Sequence, residues 1–314
     1  MALDPRVAQA LAALPDRPDP TGTPAERREA ARARAAEMEG LLSRPRPALH
    51  EERDVNVVTD DADVLVRIYR PRPGRLPALI FIHGGGWWMG SVNESDASCR
   101  RRAEAADCVV LSVDYRLAPE HPFPAAVNDC WAATHWVFAH ADELGIDVER
   151  IAIGGGSAGG NLAAAMTLLA RDEPKVTFVA QVLEIPATDL TLTASQGSAE
   201  EFAEGYGLTK ADLYECADFY LGDHDAKDPL ASPLLADLHS LPPALVMTSE
   251  CDPVRDDGEA YAAKLAEAAV PVTLHRWDGQ VHGSTEIDVL VPDVAEAYLR
   301  EVAEFLRHAF SQAG

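Results

Sequence analysis

The sequence predicts an α/β protein, a mostly parallel central sheet with helices on both faces. Three observations carry this. Apolar runs such as LPALIFIH (76–83) and PALVMTSE (243–250) are nearly continuous, as strands buried on both faces require. These runs alternate with segments of helical spacing, the signature of strand–helix–strand units. Two glycine clusters, at 84–86 and 154–160, each follow an apolar run directly.

Residues 1–50 differ from the rest and read as helical. PRVAQALAAL has helical apolar spacing, and TPAERREAARARAAEMEGLL opens on a Thr-Pro entry and closes near Gly40. PDRPDPTGTP and SRPRP are proline-broken connectors. The arginines of the second helix read as a solvated face, the commoner case, or as an interaction surface. From residue 52, RDVNVV and DVLVRIYR form two strands joined by a short acidic turn. LPALIFIH, CVVLSVDY, RIAIGG, VTFVAQVLEI, PALVMTSE and VPVTLHRW continue the set. Helices are expected near 94–106, 123–143, 158–171, 254–269 and 292–310. The segment 187–235 breaks this rhythm, being long, mixed and helix-biased. An insertion there would lie over the strand ends, where open α/β sheets bind ligands.

Composition narrows the function classes. The chain has 314 residues and a formal charge of −24, which repels nucleic acid and anionic membrane surfaces as partners. Its five cysteines are odd in number and lack a C-x-x-C pair, so neither a disulfide framework nor a zinc site is expected, and a reducing cytoplasm suits the chain. The N-terminus has no basic segment leading into a long apolar stretch, and no run approaches the length of a membrane span.

AIGGGSAGGN (152–161) carries two overlapping patterns. Gly154, Gly156 and Gly159 spell the G-x-G-x-x-G of a dinucleotide loop, with Glu184 near where a ribose-binding acid would stand. That fingerprint normally opens its domain, whereas here about five strands precede it. Gly155, Ser157 and Gly159 spell G-x-S-x-G, the turn that exposes a nucleophilic serine. The second pattern demands an acid and then a histidine later in the chain, and an oxyanion loop after an early strand. Asp252 follows the strand PALVMTSE, His282 sits in a glycine-containing loop after the last strand, and HGGGWW follows LPALIFI.

HGGGW (83–87), DYRLAPEHPFPA (114–125), GSAGGNLA (156–163), DPVRDDG (252–258) and VHG (281–283) occur in order over residues 55–310. With these motifs the chain resembles the hormone-sensitive-lipase-like esterases and their bacterial carboxylesterase relatives. The resemblance implies an α/β-hydrolase fold, with 51–186 and 236–314 as catalytic core and a two-part helical cap from 1–50 and 187–235. It implies a serine carboxylesterase acting on short- to medium-chain acyl esters through an acyl-enzyme, with no cofactor and no metal. It also implies a homodimer joined through the last strand.

Each residue then has a chemical role to fill. Ser157 is the expected nucleophile, His282 the base and Asp252 the acid that fixes the histidine. The N–H groups of Gly85, Gly86 and Ala158 are the expected oxyanion donors, and Gly155 and Gly159 leave room for a tight strand–helix crossing. Asp256 and Asp257 are alternatives to Asp252, but they fall at a helix start where acids favour the dipole. His83 is expected to hold the glycine loop (with Gly84) rather than move protons. Trp87 and Trp88 are either pocket lining or core. Gly156 departs from the family, which usually has aspartate or threonine before the nucleophile. Glu184 is a candidate to fill the space of that missing carboxylate and to bond to the elbow or triad loops. Three function classes remain in view. Beside the esterase stand a specialised deacetylase or catalytically retired receptor on the same fold, and an oxidoreductase using the G-x-G-x-x-G.

Overall fold

A computed structural model describes residues 2–13, 21–42, 44–59 and 61–313. The connector expected at 15–24 lies outside the described residues for positions 15–20. Among the described residues eight strands form one sheet: β1 (Glu51–Val58), β2 (Asp63–Arg70), β3 (Leu76–Ile82), β4 (Val109–Asp114), β5 (Ile146–Gly156), β6 (Gln181–Glu184), β7 (Ala244–Cys251) and β8 (Val272–Val281). Their order is β1-β2-β4-β3-β5-β6-β7-β8. β1 and β2 pair antiparallel, as do β2 and β4, and every later pairing is parallel.

The core follows from the period of a strand, which sends alternate side chains to opposite faces. On β3, Ala78, Ile80 and Ile82 enter one apolar cluster while Leu79 and Phe81 enter another. The first cluster takes α4 (Ala125–Ala139), α5 (Ala158–Arg171) and α8 (Arg255–Glu267) through residues such as Cys130, Met166 and Leu265. The second takes α3 (Asp96–Ala106) and α9 (Pro292–Gln312) through Cys99, Ala103, Val302 and Leu306. Each fully buried Val, Leu, Ile, Phe or Met side chain among these contributes about 1.5–3 kcal/mol of transfer free energy. All five cysteines are unpaired, and four of them are buried. Among the described residues no helix is long and apolar enough to cross a membrane.

Two strands differ from expectation. The segment read as a strand over 176–185 pairs as β6 only over Gln181–Glu184, and at its carboxyl end Ile185 turns to a positive φ of 44°. β8 runs on to Val281, past a register shift opposite Ser249–Cys251 where Gly279 takes φ 66°. His282 therefore stands in the turn directly after the sheet, beside Gly283.

Four further helices sit at the carboxyl ends of the strands or beside them: α1 (Pro5–Ala13), α2 (Pro24–Leu42), α6 (Gln196–Glu201) and α7 (Lys210–Leu221). α1 packs by Val7 against Phe202, Cys251, Val281 and Val291. α7 begins in a capping box, in which Thr209 and Asp212 exchange side-chain and backbone hydrogen bonds. α2 is unusual, since none of its described side chains is buried. Its half-buried positions are 24, 27, 28, 31 and 32, which is helical spacing, yet three of them are arginine. The reading as a solvated face therefore fails for Arg27, Arg28 and Arg32, while Arg34 is exposed. Arg27 pairs with Glu215 of α7 at 2.6 Å, and Arg28 reaches the carbonyl oxygen of Trp88 at 2.5 Å.

Candidate active site

The three side chains nominated from the sequence lie at three different strand ends, and the fold brings them together. β5 runs out through Gly154, Gly155 and Gly156 to Ser157, which takes φ 55° and ψ −118° before α5 begins at Ala158. A non-glycine residue held there stores on the order of 1–3 kcal/mol of backbone strain. The turn is fixed from outside: Ser157 N–H donates to the carbonyl of Glu184 at 2.8 Å. A Cβ on Gly159 would run into the carbonyls of Ile82 and His83, so only glycine lets α5 cross β3 this closely. Gly155 and Gly159 thus answer close packing of strand against helix rather than forming an open cradle for phosphate.

Ser157 Oγ lies 2.9 Å from His282 Nε2, and His282 Nδ1 lies 2.7 Å from Asp252 Oδ2. Asp252 is fully buried at the end of β7, where its other oxygen accepts from Val254 N–H at 2.9 Å. Burial alone pulls the His282 imidazole toward its neutral form. The Asp252 carboxylate, by charge and hydrogen bond, and then the charge of Glu286 outweigh this and raise its pKa above the ordinary value. Asp256 and Asp257 serve elsewhere. Asp256 accepts from Ser198 N–H, and Asp257 accepts from Thr188 N–H, Thr188 Oγ and Asp189 N–H.

The segment after β3 lies beside Ser157. Gly85 O accepts from Trp88 N–H at 3.2 Å and Met89 N–H at 2.8 Å, closing a tight turn in which Gly85 has φ 116°. His83 is buried, its ring stacked on Tyr115 at 4.3 Å and its Nδ1 2.8 Å from Gly84 O. Burial lowers the pKa of His83 and so favours the neutral ring, against the hydrogen bond to Gly84 and the nearby Asp114. Trp87 stacks on Tyr220 at 4.7 Å within the core, whereas Trp88 stands edge-on to Phe219 of α7. A cavity of about 550 Å³ opens at Ser157 and His282. The insertion supplies much of its apolar wall, including Leu190, Leu192, Leu208, Leu213 and Cys216.

Glu184 departs from its expected role. It is 2 % exposed and faces the cavity, but its carboxylate pairs with Arg102 at 2.6 Å rather than with the elbow or the triad loops. Burial pushes its pKa up, Arg102 pulls it down, and Glu286 pushes it up again. Only its backbone carbonyl meets the turn. A Cβ on Gly156 would find nothing nearer than Glu184 O at 4.0 Å, so the Glu184 side chain does not lie against this position. The space left by the absent family carboxylate is not filled by Glu184.

Sequence reasoning missed several residues that build this site. Asn161 donates from its amide to Ala187 O and Ala231 O, both at 2.8 Å, and so ties the two ends of the insertion to α5. Its place directly after the glycines was the available signal. Arg102 and Glu286 carried none, because their partners stand 82 and 184 residues away along the chain.

The comparisons with known proteins agree with this geometry. A family model described as the alpha/beta hydrolase fold matches residues 79–286. The chain is 42% identical over 268 residues to an arylesterase of Saccharolobus solfataricus, covering 82% of this chain and 86% of that one. It is 40% identical over 292 residues to a carboxylesterase of Mycobacterium tuberculosis, covering 91% of each. An esterase structure from Pyrobaculum calidifontis superposes with a TM-score of 0.90 at 37% identity, covering 99% of this chain and 100% of that one.

Proposed function

The chain belongs to the hormone-sensitive-lipase-like family of α/β-hydrolases, and from that premise we propose that it hydrolyses carboxylic esters through an acyl-enzyme on Ser157. The observation that carries this reading is the continuous line of hydrogen bonds from Ser157 Oγ through His282 to Asp252, opening into the cavity. Neutral His282 accepts the serine proton at Nε2 as Oγ attacks the acyl carbon. Asp252 holds the Nδ1–H tautomer and stabilises the imidazolium that forms. The imidazolium then protonates the leaving alcohol, and water repeats the sequence in reverse to free the acid.

The tetrahedral oxyanion needs donors already in place. As the first residue of α5, Ala158 has an N–H without an intrahelical acceptor, and the helix dipole is positive there. The N–H groups of Gly85 and Gly86, on the turn beside Ser157, complete the set. The helices of 1–50 and 187–235 act as a two-part cap over the cavity. Its predominantly aliphatic wall, and its size, suit short to medium acyl chains. A retired receptor is disfavoured by the intact serine–histidine–aspartate line, and a dinucleotide site by the closely packed glycine turn and by Glu184 engaged with Arg102.

Ser157→Ala tests the reading. In an unrelated serine hydrolase, loss of the nucleophile lowers kcat by about 10⁶. The variant should keep its circular dichroism and lose hydrolysis of p-nitrophenyl acetate and butyrate to background. The wild type should lose the same activity on treatment with an organophosphate. A folded Ser157→Ala protein that still turns over esters at an appreciable rate rules the mechanism out.

A further inference from the structure

The arginine face of α2 ends on the oxyanion turn. Arg28, whose side chain is 12% exposed, donates from Nε to Trp88 O at 2.5 Å and from Nη2 to Ala118 O at 2.8 Å. Glu120 accepts from the same guanidinium at 2.7 Å. Ala118 in turn donates its N–H to Trp87 O at 3.0 Å. One guanidinium therefore bridges two carbonyls and closes a ring, in which residues 87–88 are held by loop 115–120 on one side and by Arg28 on the other. Arg32, one turn further along α2, reaches Gly90 O at 3.3 Å. Two carbonyls after the turn, Trp88 O and Gly90 O, are thus gripped from α2.

The turn needs such a grip. Gly84, Gly85 and Gly86 carry no side chains to anchor them, and glycine loses more conformational freedom than any other residue when it is ordered. Oxyanion donors act only when preorganised, and a misplacement of about 1 Å can cost on the order of 10² in rate. We propose that Arg28 is a positioning residue for the oxyanion turn, so that the N-terminal helix sets the chemistry of the site as well as covering it. Loss of the guanidinium frees Trp88 O and Ala118 O together, and the turn that precedes them loosens. The assignment rests on the reading that Gly85 and Gly86 receive the oxyanion.

Arg28→Met keeps most of the apolar stem and removes both donors. Its kcat should fall about tenfold or more for p-nitrophenyl acetate and hexanoate alike, with each KM held within about twofold. Its affinity for an aryl trifluoromethyl ketone, which forms a tetrahedral adduct, should fall by the same factor as kcat. Arg28→Lys, which keeps the cation but cannot span two carbonyls, should lie between the two. An unchanged kcat for the acetate ester, with only KM or chain-length preference altered, overturns the proposal and leaves α2 as a cover alone. If Arg28→Met loses its circular dichroism, Arg28→Lys decides: a reduced kcat with the ketone affinity reduced in step supports the proposal, and a wild-type kcat overturns it. Failure of the underlying oxyanion reading is seen separately. In that case the wild type binds the trifluoromethyl ketone no more tightly than the matching methyl ketone, whatever stands at position 28.

Discussion

At the scale of single residues, the site is a balance of charges around one imidazole. Burial disfavours the charged form of His282, and Asp252 and Glu286 together more than restore it. The raised pKa has a direct kinetic consequence, because the base must be neutral before it can accept the serine proton. The acidic limb of kcat/KM reports that ionisation in the free enzyme. Activity should therefore climb with pH through an inflection above the ordinary histidine value of about 6.5. Glu286→Gln removes one negative charge, so the imidazolium is less favoured, the pKa falls and the inflection moves to lower pH. A profile of kcat/KM from pH 5 to 9 checks this. An inflection that stays fixed in Glu286→Gln, or moves to higher pH, contradicts the electrostatic account of His282.

Secondary-structure elements meet the insertion through buried acids at the start of α8. Asp257 is fully buried, and its carboxylate receives Thr188 N–H, Thr188 Oγ and Asp189 N–H. Burial pushes its pKa up to about 7; the hydrogen bonds from Thr188 and Asp189 oppose this and the Asp189 charge adds to it. In the unfolded chain an aspartate titrates near 3.9, so between roughly pH 4 and 7 the folded state binds a proton that the unfolded state lacks. Stability from Asp257 is thus full at low pH and is lost as pH rises through 7. Lowering the pH from 8 to 6 should raise Tm by a few degrees through this group alone, about 1 kcal/mol in a chain of this size. Asp257→Asn should have a lower Tm, having lost an acceptor, and a flatter Tm between pH 6 and 8. An identical slope in both proteins would place the titration elsewhere. None of this was legible from the sequence, where Asp257 was one of several acids at a helix start. What could be read was local. Helix bounds such as 158–171 follow from spacing and from the glycines, and Ser157, Asp252 and His282 stand at strand ends that the apolar runs marked. The arginine face of α2, the Arg102–Glu184 pair and the Asn161 clasp depend on partners far along the chain, and periodicity carries no information about them.

Across the whole molecule, the sheet has two outer edges, and they differ in how they are protected. β1 carries Glu51, Glu52, Arg53 and Asp54 in its first half, a charged stretch of the kind that resists pairing, and Val58 stands exposed at its far end. β8 is covered at its carboxyl end, where Asp4 N–H donates to Gly279 O. Its earlier part, VTLHRW, is less charged and includes Leu274 at 45% exposure. We propose that two copies join at the last strand, the edge that the family resemblance implies. Each copy carries a formal charge of −24, so association works against repulsion between like-charged bodies. Salt shortens the reach of that repulsion to about 8 Å at 0.15 M and about 3 Å at 1 M. A dimer built on an edge strand should accordingly tighten as salt rises, the reverse of an assembly held by ion pairs. Sedimentation equilibrium at low and high salt measures this directly. Leu274→Glu adds a charge to the joining edge and should shift the protein toward monomer at both salt concentrations. A monomer under all conditions, or a dimer that loosens as salt is added, would exclude β8 as the joining edge on these grounds.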